Sequence, residues 1–181
     1  MDWAVRVGDT EWDVARTVAH LADACLWYAI DLTAGGRELN LVDVHIRQDP
    51  EPDALLDTLR TTSTIFLTVL EATPPDHRGF HPYGSADRSG FVAMACDELL
   101  VRTGDMAGTL TLPFDPPVDV VAATVHRLFP WAHGIDADPW STLLWCNGRQ
   151  ALPGRPRRTR WRWQCAPLEE WDGTDPTTPR L

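Results

Sequence analysis

Apolar residues recur three or four positions apart in several long segments of the chain, which is the spacing of one face of an α-helix. Prolines, glycines and residues that favour helix N-caps separate these segments. The pattern predicts four main helices, over about residues 10–32, 52–71, 89–109 and 118–128, with Thr10 as the N-cap of the first. A short fifth helix is predicted in "DPWSTLLWCNGRQAL".

The connections between these helices are too short for crossover strands, so an all-α helical bundle is the expected fold. The segment "ELNLVDVHIRQDPEP" alternates only weakly and suggests a short extended connection. We expect residues 1–181 to form a single domain. The bundle would occupy about residues 10–130, and the short helix with an extended arm about residues 138–171.

Charged residues interrupt the apolar face of the third predicted helix. Glu98, Arg102 and Asp105 follow one another at intervals of four and three residues, inside the apolar arc. They are either a solvated ladder of ion pairs or the polar floor of a buried site. An internal pair between Glu98 and Arg102 that fixes the helix register is a third interpretation.

His20 is the natural partner for these charges from another helix. It shares a face of the first helix with Ala24, Trp27 and Asp31. It is either a hydrogen-bonded core residue or, if it meets the third helix, a metal ligand or catalytic group. His77 and His81 are four residues apart, but Gly79 and Pro82 argue against the helix that would make them a metal pair.

Composition narrows the range of partners. A net charge of −10 argues against nucleic acid, because phosphate binding needs a basic surface. No apolar run is long enough for a membrane span, and the N-terminus lacks a signal-peptide pattern, so a cytoplasmic location is expected. The four cysteines are too scattered for a zinc knuckle and are expected to be reduced and mostly buried.

One basic segment departs from this acidic background. Residues 149–162 contain six arginines, and the segment ends in the alternating sequence "RWRW". A terminal strand or extended arm that packs two tryptophans on the body and leaves its arginines in water is the simplest interpretation. An acidic partner or substrate, or locally a nucleic acid, are the alternatives.

Three segments together resemble a known family. They are "EWDVARTVAHLADACLWYA", "GFHPYGSADRSGFVAMACDELLVRTGDMAG" and "PWSTLLWCNGRQALPGRPRRTRWRW". They are similar to the N-terminal domain of mycothiol-dependent maleylpyruvate isomerase, in the DinB-like superfamily. The resemblance implies a DinB-like four-helix bundle with a short extra helix, and a divalent metal, usually zinc. The metal ligands it implies are His20, Glu98 and residue 102.

Residue 102 is an arginine in this chain, which departs from the family pattern. A guanidinium offers only hydrogen-bond donors and cannot replace an imidazole as a metal ligand. A bound metal would need His81 or Asp105 as its third ligand. The simpler expectation is that Arg102 takes up part of the metal's space and pairs with Glu98.

The resemblance therefore implies a mycothiol-dependent isomerase or thiol transferase with an altered metal site, acting on a small electrophilic or anionic substrate. His20 and Arg102 would be catalytic, and Arg102, Trp27 and His81 would contact the substrate. A non-catalytic module that binds a small anion or thiol is the alternative. A scaffold that associates through the tryptophan-rich arm is a third hypothesis, and a homodimer is compatible with each.

Overall fold

Five α-helices make up the computed structural model, which describes residues 2–47 and 51–177. They are α1 (Val14–Ala34), α2 (Pro52–Ala72), α3 (Arg88–Leu110), α4 (Val118–Leu128) and α5 (Pro139–Cys146). Helices α1–α4 pack as a bundle, and the described residues form isolated β-bridges but no strand. The predicted all-α fold and its five helices are confirmed.

The first helix begins later than its sequence predicts. Asp13, not Thr10, is the N-cap of α1, and its Oδ1 accepts the backbone N–H of Arg16 at 2.7 Å. The Thr10 hydroxyl instead donates to the carbonyl of Val7 at 2.7 Å, inside a turn that precedes the helix. Both residue types cap helices well, so the local turn decides between them.

Helix α1 packs between α2 and α3. Helix α4 covers α3, and α5 packs on α4. The core between them is apolar, and its largest fully buried side chains include those of Phe91, Phe129, Leu32, Met94 and Leu143. Because α1 and α3 are in contact, polar residues on their facing sides meet near the bundle surface.

The segment after α5 is an extended arm rather than a strand. Trp163 is buried and Trp161 is partly buried against the core, as the alternation predicts. The expectation that the arginines all lie in water is wrong for Arg158, whose side chain is 12% exposed and pairs with Asp175 at 2.7 Å. A partly buried carboxylate within reach is what allows this charge to leave water.

Two further expectations can be compared with the structure. All four cysteines are free, and Cys25, Cys146 and Cys165 are buried while Cys96 is partly buried. Among the described residues, no helix is both long enough and apolar enough to cross a membrane.

Candidate functional site

The charged face of α3 is partly buried and fully paired. The side chains of Glu98, Arg102 and Asp105 are 13%, 17% and 16% exposed. Their low exposure excludes a solvated ladder of ion pairs. They form the α3 side of a shallow polar layer that His20 of α1 completes.

Glu98 is the centre of this layer. Its Oε2 lies 3.3 Å from His20 Nε2 and accepts the Nε–H of Arg102 at 3.2 Å. Burial alone would raise the pKa of Glu98, but the hydrogen bond from His20 and the charge of Arg102 outweigh burial and hold that pKa below its ordinary value. Glu98 is therefore a carboxylate at neutral pH.

The charge of Glu98 fixes the tautomer of His20. A carboxylate only accepts hydrogen bonds, so His20 Nε2 carries the hydrogen that faces Glu98, and in the neutral ring Nδ1 keeps a lone pair. The His20 side chain is 32% exposed, and no described residue forms a hydrogen bond with Nδ1. An oriented imidazole that is partly exposed and has one nitrogen free to accept a proton is the arrangement that general acid–base catalysis uses.

Trp12 covers the layer from the segment before α1. Its ring centroid lies 4.8 Å from that of His20 and 5.2 Å from the guanidinium carbon of Arg102. Trp12 belongs to the segments that carry the family resemblance, but its position in the sequence does not mark it as a site residue. Nothing in its spacing showed the contact, because the ring approaches Arg102 from a segment that is not helical.

The polar layer continues along α3 as alternating charges. Arg102 Nη1 lies 4.0 Å from Asp105 Oδ2, and that carboxylate accepts the Nε–H of Arg149 at 3.0 Å. A cavity of about 390 Å³ lies beside Asp105 and Arg149. The charges of Glu98, Arg102, Asp105 and Arg149 balance one another, so the layer is neutral when His20 is neutral.

The donor set does not fit the zinc that the resemblance implies. His20 and Glu98 face each other, but Arg102 presents an N–H where a third ligand would be needed. Asp105 is paired with Arg149 instead. In the part of the chain that the structure describes, no group of three or more His, Cys, Asp or Glu side chains is placed to hold a metal ion.

Trp27 and His81 both line a second cavity, whose lining does not include Arg102. His81 Nδ1 accepts the backbone N–H of Tyr83 at 3.1 Å and lies 3.5 Å from Cys165 Sγ. Burial lowers the pKa of His81 to about 4, so its imidazole is neutral near pH 7. Among the described residues, Trp27 and His81 form no hydrogen bond or ion pair with the Glu98 layer, although the charge of Glu98 acts against burial on the pKa of His81.

A second polar group inside the bundle was not predicted. Asp97 is buried, and its two oxygens accept hydrogen bonds from Asn147 Nδ2 at 2.7 Å and Trp163 Nε1 at 3.0 Å. Burial raises the pKa of Asp97 to about 7. An aspartate among the apolar residues of α3 was the available signal, but its two donors come from distant parts of the chain.

Comparison of the chain with protein-family models, curated proteins and solved structures finds no match. Of what the resemblance implies, the structure shows an all-α fold with five helices. The closer resemblance to the isomerase family stays an expectation based on the sequence segments that suggested it.

Proposed function

We propose that this chain is an enzyme of small-molecule thiol chemistry that works without a metal, on a DinB-like bundle related to mycothiol-dependent maleylpyruvate isomerase. One observation supports the proposal above all. A single oxygen, Glu98 Oε2, contacts both His20 Nε2 and Arg102 Nε. It orients a base and a cation side by side, where the family would have a metal.

In this proposal His20 is the general base. Its Nδ1 accepts the proton of a substrate thiol, and Glu98 stabilises the resulting imidazolium. The thiolate sulfur then forms a bond to an electrophilic alkene carbon, the C=C π bond breaks, and its electron pair moves onto the conjugated carbonyl as an enolate. After rotation about what is now a single bond, the enolate collapses, the double bond re-forms and the S–C bond breaks to release the thiolate. The thiolate finally recovers its proton from His20, so the thiol acts as a catalyst.

Arg102 would bind a carboxylate of the substrate and stabilise the negative charge that the addition creates. Trp12 holds the guanidinium in place from the other side. Mycothiol is the thiol that the family resemblance suggests, and a small unsaturated dicarboxylate is the matching electrophile. The dicarboxylate is anionic, and the thiol becomes anionic when it loses its proton. The positive charge of Arg102 can attract both.

A non-catalytic binding module is the second candidate, and one observation favours it. The guanidinium of Arg102 lies near both Glu98 and Asp105, so the layer is self-compensated without any substrate. Such a site holds an anion only by competing with its own carboxylates. Binding would then be weak, and His20 would orient the ligand without transferring a proton.

The test is isomerisation of maleylpyruvate with mycothiol, by protein purified without a metal column and assayed in a chelator. We expect turnover to persist in the chelator and to fall at least about a hundredfold in His20→Gln. His126→Gln, which changes an exposed histidine on α4, is the matched control and should retain full activity.

Turnover that depends on added zinc, or equal rates for His20→Gln and the wild type, would overturn the enzyme proposal. Calorimetry with mycothiol and with maleate separates the second candidate. Binding without turnover that is lost in Arg102→Gln would identify a binding module. Arg102→Gln keeps a hydrogen-bond donor beside Glu98, so the loss would report the missing cation.

A further inference from the structure

A cavity of about 520 Å³ lies beside the C-terminal half of α1, two helical turns beyond His20. Its lining includes three aromatic rings, those of Trp27, Tyr28 and Phe80. It also includes the imidazole of His81 and two carboxylates, Asp31 and Glu38. This volume lies within the range of small-molecule sites.

Hydrogen bonds hold the outer wall of this cavity against α1. The indole Nε1 of Trp27 donates to the carbonyl of Val44 at 3.0 Å, and Asp23 accepts the backbone N–H of Ile46 at 2.6 Å. They fasten the segment that runs from residue 38 to residue 46 along the helix. The opposite wall is fastened where Phe80 N–H donates to the carbonyl of Gly35 at 2.8 Å. The cavity is thus preformed.

The aromatic wall adds no positive charge. Tyr28 is buried, and burial raises the pKa of its hydroxyl well above the ordinary value, so it is neutral. His81 is also neutral near pH 7, because burial lowers its pKa to about 4. The ring centroids of Tyr28 and His81 are 6.3 Å apart. Together these groups present a neutral wall of π-systems.

The two carboxylates face this wall without a cation. Asp31 lies one helical turn after Trp27, on the same face of α1. Burial, and then the charge of Glu38, raise the pKa of Asp31 to about 6. Among the described residues, no arginine lines the cavity, and the chain contains no lysine. The negative charge therefore has no basic partner in this pocket.

We infer that this cavity binds an organic ammonium cation, with the rings of Trp27 and Phe80 against its alkyl groups and Asp31 and Glu38 supplying the opposite charge. Aromatic faces attract such cations, and a carboxylate at the rim adds to that attraction. A divalent metal needs several ligands close together, and among the described residues no group of three or more His, Cys, Asp or Glu side chains is placed to hold one. The inference is independent of the acid–base chemistry proposed for His20.

The test compares choline with 3,3-dimethylbutan-1-ol, which has the same shape without the charge, by calorimetry on the full chain. We expect choline to bind in the millimolar range or tighter, and the neutral alcohol to bind at least about tenfold more weakly. Asp31→Asn should weaken choline binding by about tenfold. Asp43→Asn removes the same charge from an exposed position outside the cavity and should leave affinity unchanged.

Replacement of the indole supplies a further variant. Trp27→Leu should weaken choline binding at least about tenfold, whereas Trp27→Phe keeps a ring and should retain more of the affinity, since both variants lose the hydrogen bond to Val44 and only Trp27→Leu also loses the ring. Equal affinity for choline and the alcohol would overturn the inference, as would absence of choline binding at tens of millimolar. Equal losses in Asp31→Asn and Asp43→Asn would also overturn it, since they would show only a general effect of net charge.

Discussion

Arg102 donates its Nε–H to Glu98 Oε2, one turn earlier on α3, across 3.2 Å. The same oxygen is 3.3 Å from His20 Nε2. A carboxylate oxygen that already faces two hydrogens is poorly placed to ligate a metal, and the guanidinium beside it would repel one. This arrangement predicts how the site responds when position 102 is changed.

We expect the wild-type protein to bind zinc weakly or not at all and Arg102→His to bind it at least about a hundredfold more tightly. The new imidazole would complete a set of three ligands with His20 and Glu98. Competition with a zinc chromophore measures both affinities. Arg102→Gln is the control, because it removes the cation without adding a ligand.

Tight stoichiometric zinc in the wild type would contradict this prediction and would show that another residue supplies the third ligand. Equal zinc affinities for Arg102→His and Arg102→Gln would show that His20 and Glu98 are not free to turn toward a metal.

The second prediction concerns Trp12, whose ring lies over the guanidinium of Arg102 at 5.2 Å. Trp12→Leu keeps an apolar side chain but loses the ring, whereas Trp12→Phe keeps a ring face. We expect Trp12→Leu to lower the free energy of unfolding by about 0.5 to 1 kcal/mol more than Trp12→Phe does. Urea unfolding measures the difference.

A double-mutant cycle provides the control for Trp12. The difference between Trp12→Leu and Trp12→Phe should become smaller when Arg102→Gln is already present, because one of the two cations over the ring is gone while Arg16, at 5.2 Å, remains. A difference that persists unchanged in that background would mean that the ring does not interact with the charge of Arg102.

How far the sequence predicts this structure depends on whether each contact is local. The spacing of Glu98 and Arg102 places them one turn apart on any helix, so their pair was predictable. The partner of Asp105 is Arg149, 44 residues later, and only the tertiary packing brings them together. The burial of Trp163 followed from the alternation of the arm, but its bond to Asp97 did not.

The start of α1 shows a different limit. Thr10 and Asp13 are both good N-cap residues, and local propensity does not separate them. The backbone between Arg6 and Asp13 folds into a turn that an isolated β-bridge closes. The Thr10 hydroxyl donates its hydrogen bond inside this turn and therefore does not cap α1. The contact between Trp12 and Arg102 depends on the same turn. Helical periodicity therefore does not predict that contact either.

The third prediction follows from the burial of Asp97, whose pKa is raised from 3.8 to about 7. The folded protein holds the proton of the Asp97 carboxyl group more tightly than the unfolded chain does. The contribution of Asp97 to stability therefore falls as pH rises from about 4 to about 7. The free energy of unfolding of Asp97→Asn minus that of the wild type should therefore increase between pH 4 and pH 7 and stay constant above pH 7.

Chemical denaturation at several pH values measures this difference. Trp163→Phe gives a second readout, because loss of its hydrogen bond to the Asp97 carboxylate should extend the fall to higher pH. A difference between Asp97→Asn and wild type that does not change between pH 4 and pH 7 would contradict the prediction.

Arg127 connects α4, the N-terminus of α3 and the arm at a point next to Gly90. It is buried on α4, and its Nη2 donates to Asp87 Oδ1 at 2.8 Å and to the carbonyl of Cys165 at 3.0 Å. These contacts tie the N-terminus of α3 to the end of the arm. A Cβ on Gly90 would lie 2.7 Å from Arg127 Nη2 and 2.8 Å from the Cys165 oxygen.

The fourth prediction is that Gly90→Ala lowers the free energy of unfolding by about 2 to 4 kcal/mol, because the new methyl group displaces a buried guanidinium from its partners. Gly108→Ala is the matched control on the same helix. A Cβ there meets nothing within 4 Å, so the better helix propensity of alanine should raise stability by about 0.5 to 1 kcal/mol. Urea unfolding followed by circular dichroism measures both. If the two variants shift stability in the same direction, the close approach of Arg127 to Gly90 does not constrain the fold.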